Sequence, residues 1–169
     1  DTFDGFLKKH RKDDVKIFKD LFLKKEISPK HYKWIELREK ALKLKLIENH
    51  EWKNTSFKFV KQRIRKFKLQ KNIELIKGDI VKSVKKIKKN HKYSVVFMDC
   101  NLYEPHIAAL EHCWKHLSKK GTIFLDDYFS LKYPGARIAV NEFCKNKKLK
   151  VKKVQSYPGD FERYYLEKS

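Results

Sequence analysis

Three aspartates, Asp99, Asp126 and Asp127, are the residues of this chain best placed to do chemistry. Each ends a short apolar run. Ser94-Val95-Val96-Phe97-Met98 leads into Asp99, and Thr122-Ile123-Phe124-Leu125 leads into Asp126-Asp127. Runs this short, apolar on both faces and partly β-branched, predict strands buried in a parallel sheet. Open α/β sheets bind their ligands outside the carboxyl ends of such strands. If the two strands are neighbours, three carboxylates converge on one edge. Like charges that close need a proton or a cation among them. A hard divalent ion such as Mg²⁺ is the simplest answer, because it takes oxygen ligands and leaves positions open for a substrate.

The elements that must position these acids follow from periodicity. Residues 11–26 predict a helix with Val15, Phe18 and Phe22 on one face. Ser28-Pro29 is a helix start, a capping hydroxyl followed by proline, and that helix is expected to run to about Asn49. A third helix is expected from Thr55 or Ser56, with Phe57, Val60, Ile64 and Phe67 at helical spacing. The rhythm then changes to alternation. Strands are expected over 73–76, 93–99, 121–126, 149–155 and 163–167, and helices over 80–89, 104–117 and 134–146. This predicts a doubly wound, mostly parallel α/β sheet with helices on both faces. The last two strands flank a turn at Pro158-Gly159, too short for a crossover, so they predict an antiparallel hairpin.

Composition bounds the function. The chain has 169 residues, 41% of them hydrophobic, which predicts one domain over 1–169 rather than a disordered segment. It contains no run long enough to span a bilayer and no signal-peptide pattern. Cys100, Cys113 and Cys144 are odd in number and lack zinc-ligand spacing, which predicts reduced thiols in a cytoplasmic protein. The formal charge of +21 raises nucleic acid as a partner. That reading is set aside, because the cations are mostly Lys, spread along the whole chain, with Arg only at 11, 38, 63, 65, 137 and 163.

The motifs resemble one family. Asp1-Thr2-Phe3-Asp4-Gly5-Phe6 resembles the DTFxGF segment of the macrocin O-methyltransferases, a family of class I S-adenosylmethionine-dependent enzymes. Asp99-Cys100-Asn101-Leu102-Tyr103-Glu104 resembles the family's D-x-D-L-Y-E segment, and Ala109-Leu110-Glu111-His112 with Leu117-Ser118-Lys119-Lys120-Gly121 its ALEHL…LSPGG stretch. Asp126-Asp127-Tyr128 and the run from Pro134 to Phe143 resemble its DDY and PGARxAVDEF motifs. The matches occur in the family's order. Residues 7–53 match nothing in it and are expected to be a helical insertion.

The resemblance implies a Rossmann-like methyltransferase sheet and a Mg²⁺-dependent transfer from S-adenosylmethionine to a sugar hydroxyl. The product would belong to natural-product or surface-glycan synthesis. It implies Asp99, Asp126 and Asp127 as metal ligands, and Asp99 as proton acceptor and cofactor contact. Asp1 would meet the ribose hydroxyls and Asp79 the adenine amine, while Tyr103, Tyr128 and Arg137 would face the acceptor. The partner would be a small molecule or glycan, with no membrane; a homo-oligomer stays open. Two departures stand out. Asn101 and Asn141 occupy positions where the family has Asp, and the five glycines are isolated, with no glycine-rich cofactor loop. The expectation is a chain lacking the first strand and that loop. Alternatives are an RNA methyltransferase of the same fold, or a non-catalytic remnant. Plainer readings stand beside the sharp ones. Asp79 could simply cap the next helix, Asp1 could be a frayed terminus, and Cys100 a small buried residue. His112 and His116 read as helix surface or core edge, and His106 as a candidate base.

Overall fold

The computed structural model describes residues 1–46, 55–87, 91–128, 133–154 and 163–169. In chain order these form α1 (Lys8–Leu23), α2 (Pro29–Lys43), α3 (Phe57–Lys66), α4 (Ile80–Ser83) running into a 3-10 turn (Val84–Lys86), β1 (Tyr93–Met98), α5 (Tyr103–His116), β2 (Leu117–Leu125), α6 (Pro134–Lys147), β3 (Lys152–Lys153) and β4 (Tyr164–Glu167). The predicted ends near Asn49, Lys89 and Gln155, and the turn at Pro158-Gly159, lie outside the described residues.

Helix starts sit where the sequence supplies caps. Ser28 Oγ accepts from the His31 amide at 3.1 Å, with Pro29 opening α2. Ser56 Oγ accepts from the Phe59 amide at 3.3 Å at the head of α3. Asp79 Oδ1 accepts from the Val81 amide at 3.1 Å and opens α4. Each cap satisfies a backbone N–H that the helix itself leaves unpaired.

The sheet is mixed, in the order β1-β2-β4-β3. β1 and β2 are parallel and joined through α5, a β-α-β crossover. β4 runs antiparallel to β2, and β3 antiparallel to β4, as the hairpin reading requires. This is the Rossmann-like α/β class. β2 begins earlier than expected, because Leu117 already faces Tyr93 before the register shifts to Val95 opposite Thr122.

The core lies between one face of the sheet and helices α5 and α6. Met98, Ile123, Leu125 and Leu166 meet Ala109 and Leu110 of α5 and Val140, Phe143 and Cys144 of α6. Burial of each large side chain here contributes about 1.5–3 kcal/mol. The other face of β1 differs from expectation. Val95 and Phe97 are 64% and 69% exposed, because no described element covers them. The expected strand over 73–76 is also absent as a strand. Among the described residues, the Ile73 amide turns back to the Leu69 carbonyl (3.1 Å), the Asp1 nitrogen donates to the Ile76 carbonyl (3.3 Å), and the nearby Gly78 amide donates to the Asp1 carbonyl (2.9 Å). The two bonds with Asp1, at one end, do not make a ladder. No helix among the described residues is long and apolar enough to cross a membrane.

Gly135, second residue of α6, sits where α6 comes close to both α1 and α5. A Cβ there would overlap Asp14 Oδ1 of α1 and lie 2.8 Å from the Tyr103 backbone nitrogen of α5. Gly135→Ala gains about 1 kcal/mol of helix propensity. The overlap outweighs it, since Asp14 is 4% exposed and has no room to withdraw. Urea unfolding is expected to show a net loss of about 1–3 kcal/mol; a variant at least as stable as the parent contradicts this packing.

Candidate functional site

Parallel pairing in register is what brings the acids together. Met98 faces Leu125, so the two strands end side by side. The Asp126 amide then donates to the Met98 carbonyl at 3.1 Å and carries the ladder one step past the strands. As a result one carboxylate oxygen from each of Asp99, Asp126 and Asp127 lies within 4.8 Å of the others.

A tight turn closes around them. Asn101 takes a left-handed conformation (φ 59°), which Asn tolerates better than most residues. Its backbone amide donates to Asp127 Oδ2 at 2.8 Å and its side-chain Nδ2 to Asp99 Oδ1 at 3.1 Å. One residue thus orients two of the three acids. Asp127 is 7% exposed. Burial pushes its carboxyl up to about 7, the Asn101 amide opposes that, and the Asp99 and Asp126 charges add to the rise. Asp99 is also raised, first by desolvation and then by the Asp126 charge. Such a trio holds either shared protons or a cation, and an oxygen-only donor set fits a hard divalent ion.

Beside the trio lies a cavity of about 300 Å³. Asp1, Asp79 and Asp99 all line it, with apolar walls from Phe3, Phe6 and Ile80 among others. Asp79 does more than face this space. Besides capping α4, it accepts from Lys9 Nζ at 3.1 Å and contacts His10 Nε2 at 3.3 Å. Burial alone would raise its pKa, but these hydrogen bonds outweigh burial and hold it below the usual range. Asp1 Oδ1 accepts from the Phe3 amide at 2.5 Å.

The remaining sequence-derived residues lie after the ends of β1 and β2 and along α5 and α6. Tyr128 follows the trio directly; its hydroxyl donates to Asn141 Oδ1 at 2.9 Å and the Arg137 guanidinium sits 6.0 Å from its ring centre. The Tyr103 hydroxyl donates to Glu142 at 2.6 Å, which with burial pushes it up to about 12. His106 is fully buried inside α5, and burial alone pushes it down to about 4. It is a neutral core imidazole rather than a base at the acids. His112 contacts the Tyr93 hydroxyl at 3.2 Å, and His116 is 9% exposed, a core-edge pair as expected. Cys100 is pushed up to about 12, first by burial and then by the Asp127 and Asp99 charges, so it is an inert thiol. Sequence reasoning missed His10. Its spacing to Asp13 on one helix face was the available signal.

Residues 31–128, more than half of the chain, match a family model described as a methyltransferase domain. No curated protein matches. Among solved structures, the O-methyltransferase NovP is 18% identical, with a TM-score of 0.61 over 100% of this chain and 58% of its own. An O-methyltransferase from Bacillus cereus, in complex with SAH, is 16% identical, with a TM-score of 0.50 over 66% of this chain and 57% of its own. CalS11, a calicheamicin methyltransferase, is 26% identical over 55% of this chain and 36% of its own, with a TM-score of 0.47. The chain therefore spans 36% to 58% of the length of these proteins.

The raised Asp127 carboxyl makes a signed prediction. Between the ordinary carboxylate pKa of 3.8 and about 7, the folded chain holds a proton that the unfolded chain has lost. Stability without divalent ions should therefore fall as pH rises from 5 to 8, by several degrees in melting temperature. Asp127→Asn should flatten that slope. An unchanged slope in the variant removes Asp127 as its source.

Proposed function

The chain belongs to the methyltransferase domain family, and from that premise we propose that it serves a Mg²⁺-dependent transfer of a methyl group from S-adenosylmethionine to a sugar hydroxyl. The observation that carries this reading is the convergence of Asp99, Asp126 and Asp127 within 4.8 Å at the paired strand ends. Three carboxylates so close have a reason to be there if they share a divalent ion.

The cavity beside them suits the adenosyl end of the cofactor. It lies at the small end of the usual range for ligand pockets and is mostly apolar, with three acids in its lining. The SAH complex of the Bacillus cereus protein supports this choice by likeness of fold. Asp1 and Asp79 are the acids that would meet the ribose hydroxyls and the adenine amine.

The chain's own groups have clear tasks. The Asn101 amide holds Asp127 in place, and Nδ2 of the same residue holds Asp99. Asp99 stands at the exposed side of the trio with a raised pKa, so it can accept a proton from an acceptor hydroxyl. Mg²⁺ bound by the trio would acidify that hydroxyl and fix its direction. The cofactor, when bound, would supply an electrophilic methyl group whose carbon–sulfur bond would break as the acceptor oxygen bonds to the carbon, leaving a neutral thioether, and a carboxylate of the trio would take the hydroxyl proton. Tyr128 and Arg137, on the α6 side of the acids, would contact a small-molecule or glycan acceptor. We place this chemistry in the cytoplasm.

Methyl transfer from labelled S-adenosylmethionine to nucleotide-sugar acceptors tests the reading. Asp126→Ala is expected to lower the rate about a hundredfold or more, and EDTA to abolish it until Mg²⁺ is restored. Full activity in EDTA removes the metal. Calorimetry with SAH is expected to give an affinity of about micromolar; no binding at all defeats the cofactor assignment for this chain.

A further inference from the structure

A second group of ligand-bearing side chains lies where α1 packs on α5. His10 and Asp13 stand three residues apart on α1, so they share a face. Glu104 is in the first turn of α5. One ligand atom from each lies within 4.8 Å of the others. This group shares no residue with the acidic trio, and it stands whether or not the proposed reaction is right.

His10 is the informative member. It is 2% exposed. Its Nε2 contacts Asp79 Oδ1 at 3.3 Å. Its Nδ1 lies 2.7 Å from Glu104 Oε2, yet no hydrogen bond forms there among the described residues. The oxygen is close but sits off the axis of the ring nitrogen. In the tautomer in which Nε2 donates to Asp79, Nδ1 carries a lone pair. A lone pair beside a carboxylate at that range is repulsive, and a proton on Nδ1 would point past the oxygen.

An ion resolves this geometry. Ligand atoms of one ion sit beside each other around it rather than in line. For bonds of about 2.1 Å, a nitrogen and an oxygen 2.7 Å apart put the oxygen about 50° off the nitrogen–ion axis. The Asp79 carboxylate on the far nitrogen fixes the ring and its tautomer, as the outer partner of metal-bound histidines does. Lys9 Nζ pairs with the other Asp79 oxygen at 3.1 Å, which offsets the charge of that outer partner.

We propose that His10, Asp13 and Glu104 bind a divalent first-row transition ion, with Zn²⁺ as the reference case, and that the ion ties α1 to α5 beside the cavity. The imidazole selects against Mg²⁺ and Ca²⁺, which prefer oxygen alone. Two carboxylates and one neutral imidazole balance the ion's charge. Since His10 also lines the cavity, the tie fixes one of its walls.

The test is Zn²⁺ titration of the chain against a chromogenic chelator, in an Asp126→Asn background that weakens the acidic trio. The parent is expected to bind one Zn²⁺ and to melt at a higher temperature when loaded. H10Q and E104Q should each weaken Zn²⁺ at least about tenfold and lose the melting shift. Glu104, whose side chain is 43% exposed, supplies the variant least able to disturb folding. X-ray absorption at the zinc edge should show one imidazole nitrogen. No Zn²⁺ binding by the parent, undiminished affinity in E104Q, or oxygen-only coordination overturns the proposal.

Discussion

Electrostatic repulsion among Asp99, Asp126 and Asp127 is the constraint around which this end of the molecule is built. The acids do not drift together by chance. They are carried there by a parallel ladder in register, Met98 opposite Leu125, and by one further backbone bond from Asp126. That ladder is held by a core which is apolar and closed on the helical side. A slip of either strand by one residue would turn its core residues outward and separate the acids. The geometry of the charged edge and the packing of the core are therefore one requirement.

The local compensation comes from a single turn. Asn101 gives its backbone amide to Asp127 and its side-chain amide to Asp99. A second aspartate, which the family resemblance places at this position, would bring a fourth negative charge and lose the Nδ2 donor. The chain thus uses a neutral residue where the local field is already strongly negative. Asp79, which lines the same cavity, is treated in the opposite way, surrounded by Lys9, His10 and an amide. One acid cluster is left to be relieved by shared protons or a cation, and the neighbouring acid is already paired with Lys9.

Much of this was legible in sequence. Apolar runs ending in acids marked β1, β2 and the trio, and Ser28-Pro29 and Ser56 marked helix starts through their capping chemistry. The hairpin followed from the shortness of its connection. What failed to show depended on partners far away in the chain. The run at 73–76 has strand composition, but among the described residues its backbone bonds reach only the turn at Leu69 and Asp1, and no neighbouring strand. Val95 and Phe97 look like core residues, yet burial depends on what covers a face and not on the residue alone. His10 offered only its spacing to Asp13 on α1. Its meaning arises from Asp79 and Glu104, respectively 69 and 94 positions further along the chain.

The many engagements of Asp79 affect how any substitution there is to be understood. One carboxylate starts α4, anchors the side chains of Lys9 and His10, and forms part of the cavity wall. Replacing it would disturb a helix terminus, the seating of α1 and the pocket lining at once. Inactivity of such a variant would be pleiotropic, and would not by itself distinguish a ligand contact from a keystone of the scaffold.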